Sequence, residues 1–311
     1  MKTYLDFTLT GKKFLPIWIV FYLLVLLPYS WYNVAISIQH KTLDDNPFLG
    51  YVVLLIMLIG ILLYFFILKI TIESIRYQNN NIIFSGKFLT YLGKALLGFF
   101  LSIITLTIYL AWYIKNMTRY FINNSSLNSS NFIFEGKGSK LFLIFLLCLF
   151  VPIIMLFIII GRHLLSNPGD ITYVLIYQAL IMLLMVPFMY LFYKWFLDIK
   201  YKNYHIHWET KFFESSAKIL LEIFLSIITI GIYLPLAYMK LYKYFAERTF
   251  ANTEENETFK FGYDLDAAKD FIFIWGQILL SIITLGLYYP WAYCKIGKRV
   301  LNKTFLIKNV S

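Results

Sequence analysis

The stretch Ser281-Ile-Ile-Thr-Leu-Gly-Leu-Tyr-Tyr-Pro-Trp291 decides the fold, because it is too apolar to face water and too interrupted to be one helix. Gly286 suits a helix C-cap and Pro290 the first turn of a new helix, so the spacing predicts that one helix stops and another starts near Tyr288. The same pattern runs from Ser226 to Leu236, with Gly231, Tyr233 and Pro235 in the matching places. It runs again from Ser102 to Trp112, where Thr107 and Ala111 stand for Gly and Pro and predict a softer break. Each second half turns basic, with Lys115 and Arg119, then Lys240 and Lys243, then Lys295, Lys298 and Arg299.

Working outward, four windows carry no charge and are long enough to cross about 30 Å of hydrocarbon: Phe14 to Tyr32, Phe48 to Leu68, Leu141 to Ile160 and Ile171 to Tyr193. Of the 311 residues, 60% are hydrophobic, 20% aromatic and only 14% charged, which argues against a soluble enzyme. The net charge of +11 on so apolar a chain points to a membrane with an anionic inner leaflet before nucleic acid. Cys148 and Cys294 lie inside apolar runs, so they supply neither a disulfide framework nor a zinc site.

Ser102 and Ser226 stand 124 positions apart, and the same offset maps Pro28 to Pro152, Tyr77 to Tyr201, Asn79 to Asn203 and Arg119 to Lys243. Ser281 stands 55 positions beyond Ser226. The reading is two tandem membrane repeats, 1–126 and 127–250, and a partial third, 251–311. Before each apolar element stands a short alternating stretch, at Phe7–Lys12, Ile82–Lys87, Phe132–Lys137, Ile206–Lys211 and Phe259–Asp264, which reads as strand or as an extended linker. Fold class is therefore expected to be an all-α polytopic membrane protein, with four full transmembrane helices, three broken or re-entrant helical hairpins and short strands on the cytoplasmic face. Charge favours hairpins over single crossings. Seven single crossings split the 28 Lys and Arg almost evenly, whereas hairpins leave only Lys41 and Arg162 on the far side.

No catalytic constellation emerges, so no enzymatic activity, cofactor or metal is expected. His205-x-His207 points to one side of a strand, but no carboxylate or cysteine nearby in sequence completes a ligand set, and a surface role is favoured for both, as for His40 and His163. Glu222 is the unusual residue, an acid in an apolar stretch where the other copies have Gly98 and Gln277. Such a carboxylate marks an ion or proton path or pairs at the interface with Lys218, one turn earlier. Thr105, Thr229 and Thr284, beside Tyr109, Tyr233 and Tyr288, either line a shared polar vestibule or only cap the broken helices. Trp112 and Trp291 read as headgroup anchors, and Arg119, Lys243, Lys298 and Arg299 as contacts to anionic lipid.

The recurring Thr284–Ala292 stretch, its variants from Thr105 and Thr229, and the leading Phe-x-Phe-x-Gly-Lys of Phe132–Lys137 resemble the YjgN family of bacterial inner-membrane proteins over nearly the whole chain. That resemblance implies an inner-membrane location and this architecture; it supplies no substrate. With both termini read as cytoplasmic, the leading functional expectation is a channel or transporter lined by Thr105, Tyr109, Glu222, Thr229, Gly231, Tyr233, Pro235, Thr284, Gly286, Tyr288 and Pro290. The rival is a structural or assembly module that organises lipids or partner proteins; a lipid-modifying enzyme ranks third. Membrane lipids are the expected partners, nucleic acid is not, and oligomeric state stays open.

Overall fold

The computed structural model describes residues 1–37, 48–167, 171–253 and 257–309; His40 and Lys41 lie outside them. Strand β1 (Lys2–Phe7) leads to α1 (Gly11–Phe21), which continues through a π-helical stretch into α2 (Leu27–Ser37), and α3 (Phe48–Ile72) returns to β2 (Ile75–Tyr77). After β3 (Asn80–Asn81) and β4 (Ile83–Phe84), α4 (Phe88–Ile104) and α5 (Leu110–Asn123) reach β5 (Ser125–Leu127) and β6 (Ser130–Phe134). One long rod, α6 (Gly138–Phe145), α7 (Val151–Leu156) and α8 (Arg162–Ser166) joined by π-helical stretches, precedes α9 (Ile171–Phe196), β7 (Ile199–Tyr201) and β8 (Tyr204–Trp208). Then come α10 (Phe212–Ile228), α11 (Leu234–Ala246), β9 (Thr249–Asn252), β10 (Thr258–Tyr263), α12 (Ala267–Ile283), α13 (Tyr289–Leu301) and β11 (Thr304–Asn309).

The all-α expectation fails here. Eleven strands form one antiparallel sheet in the order β3-β2-β1-β11-β10-β9-β8-β7-β6-β5-β4. Its two edge strands, β3 and β4, are consecutive in the chain with only Ile82 between them, so the sheet nearly closes into a barrel-like ring. All five alternating stretches overlap a strand of that ring. The strands that escaped detection are chiefly the ones reached after each helix pair: β2, β5, β7, β9 and β11. β2, β5, β7 and β9 have only three or four residues, and partners far away in sequence fix much of the pairing, such as Lys2 opposite Ile307.

Around this ring the chain alternates between two kinds of connection. Tight turns join β2 to β3, β5 to β6 and β7 to β8, with Gln78, Asn79, Asn128, Ser129 and Lys202 at positive φ as such hairpins require. Helical excursions fill five of the other gaps, and each leaves the ring and comes back to it. Four of the helical rods are long and apolar enough to cross a membrane: Gly11–Val34, Gly50–Ile72, Gly138–Gly161 and Ile171–Phe196. Pro28 and Pro152 lie beside or within π-helical stretches, where the wider turn accommodates a residue that cannot donate to the i−4 carbonyl.

The remaining three excursions, α4–α5, α10–α11 and α12–α13, are antiparallel pairs. Their first helices each have 17 residues, about 25 Å of rise, short of the four long rods. At their tips Leu106, Ile230 and Leu285 are 84%, 91% and 78% exposed. Each of these pairs leaves the ring and returns to it.

Neighbouring excursions also touch in ring order, α5 against α6, α9 against α10, α11 against α12, and α13 back against α1. Trp112 sits on Gly138 and Trp291 on Gly11, so closely that a Cβ at either glycine would meet the indole below 3 Å. These two tryptophans wedge one excursion against the next. The apolar cores lie where helices meet strands, for example Phe84 with Phe65, Tyr91 and Phe121, and Phe134 with Leu141 and Trp195. In a variant whose Cys148 and Cys294 are replaced by alanine, single cysteines at Lys13, Lys87, Lys137, Lys211 and Lys269 should all react with an impermeant maleimide from one face of the membrane, and one at Arg162 from the other. Opposite labelling of Lys87 and Lys137 would contradict the ring.

Candidate functional site

The three short hairpins share one turn. In the second, Gly231 N–H donates to the Ser226 carbonyl at 2.7 Å and Ile230 N–H to Ile227, while Leu234 N–H donates back to Gly231 at 3.1 Å. Ile230 (φ 50°) and Gly231 (φ 80°) are both left-handed, as are Leu285 and Gly286 in the third hairpin. The first hairpin is no softer: Leu106 and Thr107 take the same conformation, and Thr107 N–H donates to Ser102 at 2.7 Å. Thr107 therefore pays the steric cost that glycine avoids, on the order of 1–2 kcal/mol. Pro235 and Pro290 occupy the first turns of α11 and α13, and Pro290 is fully buried.

Thr105, Thr229 and Thr284 act locally. Each hydroxyl donates to a carbonyl four residues back at 2.7–2.8 Å and accepts the N–H of Tyr109, Tyr233 or Tyr288 at 3.0–3.1 Å. Freed carbonyls at two breaks are taken by tryptophans of the adjacent excursion: Trp275 Nε1 donates to Ile232 at 2.8 Å, and Trp18 Nε1 to Gly286 at 3.0 Å. At the second and third breaks, part of the irregular backbone is thus satisfied by neighbouring helices.

Behind each break lies a polar chain. Glu222 is 1% exposed; Lys218 Nζ donates to its Oε1 at 2.6 Å and Tyr233 hydroxyl to its Oε2 at 2.8 Å, and Lys240 Nζ donates to the same tyrosine oxygen at 2.8 Å. In the third hairpin Gln277 accepts from Tyr288 at 3.0 Å and Lys295 donates to Tyr288 at 2.8 Å, with Phe273 where Lys218 stood. The shared requirement is an acceptor for the tyrosine; the charge on Glu222 comes with an additional lysine. In the first hairpin Gly98 offers no acceptor, and the ring of Tyr113 fills the space that a Cβ would need. Ala237 and Ala292 take the place of Tyr113 in the other two hairpins, so side-chain volume is exchanged across the helix pair.

Of the four basic residues expected at lipid, Arg119 and Lys298 are exposed and Lys243 sits 3.7 Å from Glu247. Arg299 is committed to Asp270, a fully buried carboxylate that the motif reading passed over because it lies at the helix start and outside the break. Asp270 accepts from Arg299 Nε at 2.7 Å and from Lys303 Nζ at 2.6 Å, and its Oδ2 accepts Asp266 N–H at 3.1 Å. Burial pushes the Asp270 carboxyl up, but hydrogen bonds from Lys303 and Arg299 outweigh it and hold the pKa below the ordinary value. Exposed lysines also mark every helical departure from the ring: Lys12 and Lys13, Lys87, Lys137, Lys211 and Lys269.

The histidine expectation needs revision. Strand pairing brings Asp198 and Glu135 beside His205, whose Nε2 lies 2.9 Å from Asp198 Oδ1 and 3.5 Å from Glu135 Oε2. The three side chains offer ligand atoms within 4.8 Å of one another, a set hidden in sequence because α6–α9 separates Glu135 from its partners.

Between the helices lie three half-open pockets of about 760, 620 and 790 Å³. Thr71 of α3 and Tyr238 of α11, which are not ring neighbours, line the first; Tyr64 of α3 and Phe196 of α9 line the second. Tyr238, Ile278 and Ile296 border both the first and the third. The second and third breaks border these pockets through Ile230, Gly231, Leu285 and Gly286. Their lining is chiefly aliphatic and aromatic. Asp270→Ala should cost about 3 kcal/mol by stranding two cations, read as denaturant unfolding of the detergent-solubilised chain. Because the folded pKa is depressed, that stabilisation should be complete above about pH 4 and lost as the pH falls further through the folded value.

Residues 79–259, more than half of the chain, match the family described as bacterial protein of unknown function (DUF898). A stretch of 92 residues is 34% identical to the inner membrane protein YjgN of Salmonella typhimurium strain LT2; it covers 30% of this chain and 23% of that protein, so the chain spans about a quarter of the length of the relative it matches. No solved structure matches. With a family match across the first two broken hairpins and four described helices long and apolar enough to cross a membrane, the chain belongs to the DUF898 family.

Proposed function

We propose that this protein is a non-enzymatic transporter that moves an amphipathic, lipid-like solute through the interior of its helix ring. The observation that carries this reading is the lining: Tyr238, Ile278 and Ile296 connect two cavities whose other walls are aliphatic or aromatic. A hydrated ion loses water there without replacement ligands, whereas an acyl chain loses nothing. Tyr293 and Thr71, paired at 3.0 Å, and the Tyr238 hydroxyl supply a few polar points for a headgroup. Glu222 borders the third cavity but is already bound to Lys218 and Tyr233, so its role in this reading is to lock α10 against α11. The recurrence of one turn at offsets of 124 and 55 supports an origin by internal duplication. The exposed lysines at the helical departures support a cytoplasmic ring, with both termini on that side.

A second reading is favoured by the ring itself, which resembles a scaffold: the protein organises lipids or partners without moving anything. Reconstitution separates the two. In liposomes carrying a headgroup-labelled phospholipid, the wild-type chain should speed exchange between leaflets, and Ile278→Trp, which intrudes on two cavities, should slow it at least tenfold while circular dichroism stays unchanged. Flat exchange for folded wild-type protein, with lipids and small amphiphiles alike, would leave the scaffold reading standing.

A further inference from the structure

The first hairpin differs from its two counterparts in charge. Across α4, its turn and α5, residues 88–124 include Lys94, Lys115 and Arg119 and not one Asp or Glu. The corresponding stretch of the second hairpin neutralises Lys218 with Glu222 and Lys243 with Glu247; the third neutralises Arg299 with Asp270. Among the described residues, none of the three cations of the first hairpin has a carboxylate within ion-pair distance. Their nearest described companions are neutral: the Tyr120 ring, 5.3 Å from Lys94 Nζ, and Asn116 Oδ1, 3.3 Å from Lys115 Nζ. Burial and the charges of Arg119 and Lys94 all push the Lys115 pKa down.

Where Glu222 fills the second hairpin, the first has a pocket of about 340 Å³, walled by Lys94, Tyr109, Asn116, Arg119 and Asn123 beside Gly98. Two cations, two amides and a phenol converge on space that an acid occupies one repeat later. We propose that this pocket binds a phosphate group, replacing from outside the negative charge that Glu222 supplies from within. Lysine and arginine donors with amide donors suit phosphate oxygens. Lys94 lies two turns into α4 from the exposed Lys87, a position suited to the phosphate of an anionic phospholipid; free inorganic phosphate shares the chemistry. This site lies outside the central interior and does not depend on the transport reading.

The test uses the full chain in neutral detergent, titrated separately with phosphatidylglycerol, phosphatidylcholine and inorganic phosphate, with the melting temperature as readout. Phosphatidylglycerol should stabilise the wild-type chain at concentrations where phosphatidylcholine does not, and Lys94→Ala with Arg119→Ala should weaken that effect at least tenfold. Stabilisation by inorganic phosphate at similar concentration would assign the site to the free anion. A second variant, Gly98→Glu with Tyr113→Ala, installs the acid of the second hairpin and the small residue that makes room for it; it should lose the response while retaining its fold. Lys243→Ala should respond like wild type. Equal stabilisation of all variants by phosphatidylglycerol, or none of the wild type by either phosphate source, would overturn the proposal.

Discussion

Everything in this molecule hangs from the backbone pairing of one nearly closed sheet. A strand edge left open beside a membrane presents unpaired amides and carbonyls that recruit other chains. Here β1 pairs with β11 and the last two edges, β3 and β4, are neighbours in sequence, so very little edge remains. The same pairing fixes where each helical excursion begins and ends. An excursion that must rejoin its own ring returns to the side from which it left, whatever its length. Short hairpins and long helical rods can therefore share one circle.

The short hairpins show how a common frame tolerates different interiors. Three quantities vary together across the helix pairs: volume, hydrogen-bond acceptors and charge. Gly98 with Tyr113, Glu222 with Ala237 and Gln277 with Ala292 exchange bulk between the two helices. Tyr233 and Tyr288 each find an acceptor, charged in one case and neutral in the other. Lys218 accompanies the charged acceptor and Phe273 the neutral one. The carboxylate is thus tied to its own counter-ion, as a buried charge requires, and the outlier is the first hairpin, where cations stand without acids.

Sequence made the breaks and the long rods legible because their signals are local: a glycine at positive φ, a proline in a first turn, twenty apolar residues in a row. It disclosed five outgoing strands for the same reason, since Phe132 and Phe134 alternate before Gly136-Lys137. The returning strands carried no such mark. Ser125–Leu127 is three residues of little β-propensity, held by Phe84 and Asn131 from elements on both sides. Asp270 was hidden differently: its partners Arg299 and Lys303 lie about thirty residues on, across a helix turn, and an acid in a first helical turn looks like ordinary dipole compensation. Glu135, Asp198 and His205 needed the register of β6, β7 and β8 before they became a cluster.

The polar groups of the breaks explain why the interior is apolar. Each threonine is spent on its own turn, donating to one carbonyl and accepting one amide. Two freed carbonyls are taken by Trp18 and Trp275, reaching in from neighbouring excursions. A helix break at membrane depth is often read as a polar lining, because unsatisfied backbone must face something wet. At the second and third breaks neighbouring tryptophans take a carbonyl each, and Ile230 and Gly231, Leu285 and Gly286 border the pockets between the helices. Side-by-side packing has both effects: neighbouring helices cap two of the three broken ends, and the pockets between them keep the character of their aliphatic and aromatic side chains.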